Sequence, residues 1–130
     1  MIERLAVDAN AIIGWLRAND SAPPPLRGAI TIVVPLPVLG ELYAGAFSST
    51  RREENLGAID AVLAKHTVLR PDEVTARTYG EIRGRLRLRD IGQSKRNDLW
   101  IAALCIQHDL PLLTRDDGFD AITGLTVIHW

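Results

Sequence analysis

The stretch RLAVDANAII, residues 4–13, decides the fold class of this 130-residue chain. Its first part, Arg4 to Asp8, is an almost uninterrupted apolar run that ends on an acid. Such a run is typical of a strand covered on both faces, and strands of that kind belong to parallel sheets. The residues that follow, Ala9 to Ala18, carry apolar side chains at a spacing of three and four, so a helix is predicted directly after the strand.

The rest of the chain continues this alternation of strand and helix. Further strands are predicted at Ile30–Val34, Thr67–Leu69, Leu112–Thr114 and Thr126–Ile128. Helices are predicted at Leu36–Phe47, at Arg51–Lys65, from Pro71-Asp72-Glu73 onward, and from Ser94 as N-cap to about His108. This alternation predicts a three-layer α/β/α fold with a central parallel sheet of four to five strands. No linker or internal repeat divides the sequence, so residues 1–130 are expected to form a single domain.

The composition excludes several classes of protein. With 47% apolar and 24% charged residues, the chain has the usage of a globular protein and not of a disordered one. The single cysteine, Cys105, cannot form an internal disulfide. No apolar run reaches the roughly 18 residues of a membrane span, and acidic Glu3 and Asp8 argue against a signal peptide. We therefore expect a soluble, cytoplasmic protein with no membrane partner.

Four acidic residues stand where an α/β fold builds its sites. Asp8 ends the first predicted strand and Asp116 follows the fourth, while Glu41 and Asp98 lie in early turns of two predicted helices. Ligands of open α/β sheets bind at the carboxyl ends of the strands, so these acids can converge. Converging carboxylates repel one another unless a cation lies among them, and Mg²⁺ and Mn²⁺ prefer oxygen ligands. The pattern predicts a metal site that activates water for phosphodiester hydrolysis.

Each acid also has a purely structural interpretation. Asp8 could cap the following helix, and Asp98 could complement the dipole of its own helix. Glu41 could be a solvated helix residue and Asp116 a turn residue. Taken singly, these interpretations are the simpler ones, but the position of all four acids at one end of the layers favours a shared site.

A basic segment interrupts an otherwise acidic chain. Between Arg83 and Arg96 the formal charge is +5, which leaves −6 for the other residues of a protein whose net charge is −1. Such a segment suggests contact with a polyanion, although a solvated helix face is the alternative. If Arg83 to Arg89 forms one helix, its arginines divide between two faces. The candidate contact residues are Arg83, Arg85, Arg87, Arg89, Lys95 and Arg96.

Four segments carry a family resemblance: Asp8-Ala9-Asn10, PVLGELYAG at residues 37–45, NDLWIAA at residues 97–103, and LLTRDDGF at residues 112–119. In this order and spacing they resemble the PIN-domain family, specifically its VapC-type ribonuclease toxins of toxin–antitoxin pairs. The resemblance implies an endoribonuclease that uses Mg²⁺ or Mn²⁺ to hydrolyse a structured RNA, such as tRNA or rRNA. It also implies a homodimer and a small antitoxin whose C-terminal arm covers the acidic site.

The same resemblance assigns roles to individual residues. The four acids match the catalytic acidic positions of the family: Asp8, Glu41, Asp98 and Asp116. Asp8 and Asp98 are implied to ligate the metal directly, with the other two acids in support. The further residues implied to support the site are Asn10, Thr114 and Asp117. Within this resemblance, the basic segment becomes a candidate contact for the RNA backbone.

Two alternative functions remain at this stage. One is a non-catalytic PIN-like domain that binds RNA or protein, which the presence of all four acids disfavours. The other is a receiver-type signalling domain. A receiver needs paired acids near the first strand and an acceptor Asp after the third, but here Asp8 is followed by Ala9-Asn10 and the third strand by Arg70-Pro71.

Overall fold

The computed structural model describes residues 3–17, 31–86 and 96–130. The strands and helices in these ranges follow one another in the order that the sequence predicts. Their bounds are β1 Arg4–Val7, α1 Ala9–Arg17, β2 Thr31–Pro35, α2 Leu36–Phe47, α3 Arg52–Lys65, β3 Thr67–Leu69, α4 Glu73–Arg85, α5 Arg96–Gln107, β4 Leu112–Thr114, a 3-10 helix Asp117–Ala121, and β5 Val127–His129.

The sheet has five strands in the order β3-β2-β1-β4-β5, and every pairing is parallel. The predicted α/β class with a central parallel sheet is confirmed. The chain runs from β1 outward to β3 and then returns to place β4 on the other side of β1. For this order, the right-handed rule for parallel crossovers predicts α1 to α3 on one face and α4 and α5 on the opposite face. The switch point lies between β1 and β4, where Val7 is in register with Leu113.

The core lies on both faces of the central strands. Leu5 to Val7 in β1 and Leu112 to Thr114 in β4 are buried, as the continuous apolar runs predict. Helix α5 is buried along much of its length, including Cys105, which is 1% exposed. Burial raises the pKa of the Cys105 thiol to about 12. The helix that carries Asp98 is therefore firmly anchored in the core.

The start of α4 follows the predicted signal at Pro71-Asp72-Glu73. Asp72 caps the helix by accepting a hydrogen bond from the backbone N–H of Thr75 (3.1 Å), while the Thr75 hydroxyl accepts one from the Asp72 backbone (2.9 Å). Gln107, at the end of α5, donates its side-chain amide to the same Asp72 carboxylate (2.9 Å). This cap therefore joins α4 to α5 as well as starting α4.

Two features of the structure bear on the expectations about elements. The division of the arginines between two faces was conditional on one helix from Arg83 to Arg89, and that condition is not met, because α4 ends at Arg85 and Leu86 has an extended backbone with φ −82° and ψ 142°. The turn after β4 contains a 3-10 helix that the sequence analysis did not predict. Among the described residues, no helix is long and apolar enough to cross a membrane.

Some predicted features fall outside the described residues. They are Ile30, the proposed first residue of the second strand, and Ser94, the proposed N-cap of α5. Within the described part, Pro35 is the last residue of β2 and does not stop the strand one residue earlier. The last strand begins at Val127, one residue later than predicted.

Candidate functional site

Asp8 lies at the carboxyl end of β1, and its side chain is only 6% exposed. One oxygen, Oδ1, accepts a hydrogen bond from the backbone N–H of Ala11 (3.0 Å) and so caps α1. The other oxygen, Oδ2, accepts a hydrogen bond from the hydroxyl of Thr114, the last residue of β4. The predicted capping interpretation is confirmed, and the same carboxylate also faces the switch point.

Burial is the main reason why the pKa of Asp8 is raised above its ordinary value. The negative charge of Asp116 raises it further, while the hydrogen bonds from Thr114 and Ala11 act in the opposite direction. Desolvation and a like charge both disfavour the ionised form of a carboxyl group. A cation beside Asp8 would relieve both effects, and this marks the position as suitable for a metal.

Thr114 connects Asp8 to Asp116. Its buried hydroxyl donates to Asp8 and accepts a hydrogen bond from the backbone N–H of Asp116 (3.0 Å). The Oδ1 atom of Asp116 accepts from the backbone N–H of Gly118 (2.8 Å) and so caps the 3-10 helix. Two of the predicted acids are thus brought together, one on each side of the switch point.

Glu41 and Asp98 form a second part of the site, on helices α2 and α5. Asn97, next to Asp98 in the first turn of α5, donates its side-chain amide to Glu41 Oε1 (2.6 Å) and to the carbonyl of Pro37 (3.2 Å). Asp98 is half-buried, whereas Glu41 is exposed. Asn97 lies in the segment NDLWIAA, but no role for it was predicted, because a contact between helices distant in the chain leaves no local signal in the sequence.

The remaining predicted supporting residues occupy different positions. Asn10 is exposed in α1, and its backbone N–H contributes to lowering the pKa of Asp8. Asp117 is exposed and lies with Asp120 and His129, so that one potential ligand atom from each lies within 4.8 Å of the others. His129 Nε2 is 2.9 Å and 3.0 Å from the two oxygens of Asp120, and this hydrogen bonding raises the His129 pKa.

Within the described ranges, Asp117, Asp120 and His129 are the one set of three Asp, Glu, His or Cys side chains whose potential ligand atoms all lie within 4.8 Å of one another. The four predicted acids do not gather that closely. Thr114 connects Asp8 with Asp116, and Asn97, the residue before Asp98 in the chain, is hydrogen-bonded to Glu41.

The basic segment is only partly within the described residues. Arg83 donates to the hydroxyl of Tyr79 (3.3 Å), and the Tyr79 ring stacks on Trp100 with centroids 4.2 Å apart. Arg83 is therefore engaged in the packing of α4 against α5, whereas Arg85 and Arg96 are exposed. The other predicted contacts lie outside the described residues: Arg87, Arg89 and Lys95.

A groove of about 580 Å³ opens beside the acidic site, between α1, α2 and α3. Its apolar lining includes Ile13, Leu42 and Ile59, and Glu41 belongs to its wall. The groove therefore connects an apolar surface directly to one of the four acids.

The family model described as the PIN domain matches residues 5–125 of this chain. The chain belongs to the PIN-domain family. The resemblance inferred from the four sequence segments is confirmed. The strand order β3-β2-β1-β4-β5 also differs from the order 2-1-3-4-5 of receiver-type domains.

Relatives and solved PIN-domain structures agree with this assignment. The chain is 35% identical over 117 residues to Ribonuclease VapC5 of Mycobacterium tuberculosis. The aligned residues cover 87% of this chain and 82% of that protein. It is 34% identical over 93 residues to Ribonuclease VapC1 of Haemophilus influenzae, covering 69% and 67%. Among solved structures, it is similar to VapBC2 from Rickettsia felis bound to a promoter DNA fragment, with a TM-score of 0.83, 26% identity and 98% of both chains covered. VapBC-1 from Haemophilus influenzae gives a TM-score of 0.79 and 28% identity, again over 98% of both chains.

Proposed function

We propose that this PIN domain is a metal-dependent endoribonuclease and the toxin of a toxin–antitoxin pair. The observation that carries the proposal is the Asp8–Thr114–Asp116 arrangement, in which two acids share one buried hydroxyl at the switch point. The similarity to proteins named ribonucleases supports RNA as the substrate. The similarity to VapBC complexes supports an antitoxin as the partner.

The proposed cofactor is Mg²⁺ or Mn²⁺. The donor set consists of carboxylates, which these hard cations prefer. Asp8 fits such a cation because burial and the charge of Asp116 raise its pKa, so a positive charge nearby would favour its ionised form. We assign Asp8 and Asp98 as ligands, with Glu41 and Asp116 in support. A cation bound there would neutralise charge on the scissile phosphate and lower the pKa of a water molecule.

The protein's own contribution is to hold the carboxylates in fixed orientations. Both Asp8 oxygens accept hydrogen bonds, from Ala11 and Thr114, so this side chain cannot rotate freely. Glu41 Oε1 accepts from Asn97, and Asp116 Oδ1 accepts from Gly118. Among the described residues, the second oxygens of Glu41 and Asp116 accept no hydrogen bond, so they are available to orient the attacking water and accept its proton.

A cleavage assay on the full chain tests the proposal. Purified protein is expected to cut a structured RNA in the presence of Mg²⁺ or Mn²⁺ and not in EDTA, leaving a 3′-hydroxyl and a 5′-phosphate. The double variant Asp8→Asn/Asp98→Asn is expected to be inactive, while Glu53→Gln/Asp60→Asn, at two exposed acids on α3, serves as the charge-matched control. Undiminished cutting by the double variant would contradict the assignment. RNA binding without any cutting by the wild type would favour the non-catalytic alternative.

Three further features belong to the same proposal. The substrate is a structured RNA of the tRNA or rRNA type, and the basic residues from Arg83 to Arg96 contact its backbone. The active form is a homodimer, which light scattering would show as a mass twice the 14.3 kDa of one chain. The antitoxin covers the acidic site and thereby keeps the enzyme inactive until it is removed.

A further inference from the structure

Arg115 occupies a distinctive position at the edge of the acidic site. It lies between Thr114 and Asp116, directly after β4, and it is exposed. Its guanidinium carbon lies 3.6 Å from the centroid of the Trp130 ring, so the cation sits over the aromatic face. Trp130 follows β5, which pairs with β4 so that His129 is in register with Thr114. The stack therefore stands at the same carboxyl edge of the sheet as Asp8.

The position of the Trp130 ring depends on Gly14, which has no side chain to occupy the same space. A Cβ atom added at Gly14 in α1 would lie 2.7 Å from the ring atom Cη2 of Trp130, closer than side chains approach one another. The half-buried indole therefore meets α1 with the Cη2 edge of its six-membered ring, while the Arg115 guanidinium lies over its face. The missing side chain at Gly14 leaves the space that this ring edge occupies.

The guanidinium N–H groups of Arg115 are unused. Among the described residues Arg115 makes no salt bridge and no side-chain hydrogen bond, although Asp116 and Asp117 follow it in the chain. Other described arginines are engaged differently: Arg51 and Arg77 pair with Glu54 and Glu81. A stacked guanidinium keeps its five N–H donors in the plane of the fork, where they can bind an anion with two parallel hydrogen bonds.

We infer that Arg115, held by Trp130, binds a backbone phosphate of the RNA on the β5 side of the acidic site. The inference rests on the proposed function. Asp8 and Asp116 make this edge negative, and an RNA strand that crosses it needs positive charge beside the acids. The aromatic stack fixes the guanidinium plane before the RNA arrives, so less conformational entropy is lost on binding. Phosphate is the chemical group recognised, and the contact carries no base specificity.

RNA binding as a function of salt tests the inference. The full chain carrying Asp8→Asn is titrated with a defined RNA hairpin at several salt concentrations, with and without Arg115→Gln. Removing one phosphate contact is expected to weaken binding about tenfold and to reduce the salt slope by about 0.7–0.9. Arg77→Gln, which removes an exposed arginine already paired with Glu81, is the matched control and is expected to change neither quantity.

Steady-state cleavage in the otherwise unaltered chain gives an independent readout. Arg115→Gln is expected to raise KM about tenfold and to leave kcat within about twofold, because the contact is made in the bound substrate as well as in the transition state. Arg115→Lys should recover the salt slope but only part of the affinity, since Lys lacks the planar fork. Gly14→Ala should weaken RNA binding in the same direction without touching RNA, and its effect should largely vanish when Arg115→Gln is already present.

Each result has a definite meaning. If Arg115→Gln and Arg77→Gln give the same affinity and salt slope, the inference is overturned while cleavage by the wild type still supports the proposed function. A loss confined to kcat, with KM and salt slope unchanged, also overturns a phosphate contact. A wild-type chain that neither binds nor cuts RNA overturns both proposals.

Discussion

Asp8 performs two tasks that make opposite demands on one side chain. As the cap of α1 it needs an acceptor oxygen, which an amide supplies as well as a carboxylate does. As the proposed metal ligand it needs a negative charge, which burial and Asp116 make unfavourable. The two tasks can therefore be separated by replacing the carboxylate with an amide of the same shape.

Asp8→Asn is expected to lose activity without losing stability. The amide oxygen can keep the Ala11 hydrogen bond, and the amide nitrogen can donate to the Thr114 hydroxyl. We expect RNA cleavage to fall by more than the roughly 10–100-fold typical of a lost supporting partner. In EDTA the variant should be as stable as the wild type, or more stable by about 0.5–2 kcal/mol, because site strain is relieved. Urea unfolding of both proteins measures this.

Added Mg²⁺ completes the comparison. It should stabilise the wild type by binding the folded state and stabilise Asp8→Asn much less. Asp60→Asn should respond to Mg²⁺ as the wild type does. If Asp8→Asn is clearly destabilised and Mg²⁺ has no effect on the stability of either protein, Asp8 acts only as the cap of α1.

His129 offers a pH test at the outer edge of the sheet. Its hydrogen bond with Asp120 raises its pKa, and the charges of Asp120 and Asp117 act in the same direction. The protonated pair therefore favours the fold below the ordinary pKa of 6.5, and this contribution is lost as pH rises through the raised value. NMR titration is expected to give a pKa above 6.5, and Asp120→Asn should lower it. An unchanged pKa in that variant would show that the bridge does not form in solution.

Asn97 joins helix α5 to helix α2 at the site. Its amide group contacts α2 at Pro37 and at Glu41, while its own backbone starts α5 beside Asp98. This single side chain therefore links Glu41 to the first turn of α5, which also carries Asp98. No comparable polar bridge follows from the sequence, because residues 41 and 97 lie far apart in the chain.

Replacement of Asn97 by Ala is expected to impair the site more than the fold. Activity, or the apparent affinity for Mg²⁺, should fall about 10–100-fold, the usual cost of losing a residue that orients a ligand. Stability should fall by about 1–3 kcal/mol, because hydrogen bonds to a carboxylate are stronger than neutral ones. Excess Mg²⁺ should restore part of the activity. Asn55→Ala, on α3, is the control, and an equal effect of both variants would argue against a positioning role.

The sequence predicted most elements because their signals are local. Leu36–Phe47, Thr67–Leu69 and Leu112–Thr114 have the predicted bounds, since a proline or a run of β-branched and apolar residues defines each. The alternating Arg and Leu residues after Arg83 have no such signal, so the sequence left open where that helix ends, and α4 ends at Arg85. The 3-10 helix depends on the Asp116 cap, which a turn interpretation only partly anticipates.

The site was predictable to a similar extent. The ends of parallel strands meet at one edge of a sheet, so the proximity of Asp8 and Asp116 followed from the strand pattern alone. The contacts of Asn97 and the stack of Arg115 on Trp130 did not follow, because each joins distant segments through side chains. Their geometry depends on how the helices and the last strand pack, and on the absence of a side chain at Gly14.

The whole molecule presents an acidic edge that must be silenced in the cell if it is a ribonuclease. The free oxygens of Glu41 and Asp116 are expected to receive an Arg or Lys side chain of the antitoxin, most favourably an Arg because of its planar fork. Glu41→Gln/Asp116→Asn should therefore weaken the complex with the proposed antitoxin, measured by calorimetry at low salt. Glu53→Gln, an exposed acid on α3, should not. A complex structure with no basic group near these acids would contradict the prediction.

The burial of Cys105 has a practical consequence for following this molecule in time. A maleimide can react only after α5 leaves the core, since the thiol is 1% exposed and its pKa is about 12. Because the chain has no second cysteine, the labelling rate reports one event, the opening of the helix that carries Asn97 and Asp98. Mg²⁺, RNA or antitoxin should slow that reaction, and a ligand that binds the native protein more tightly should slow it more. Mass spectrometry of timed samples would rank the three ligands by how strongly each stabilises the native protein against this opening, without any assay of catalysis.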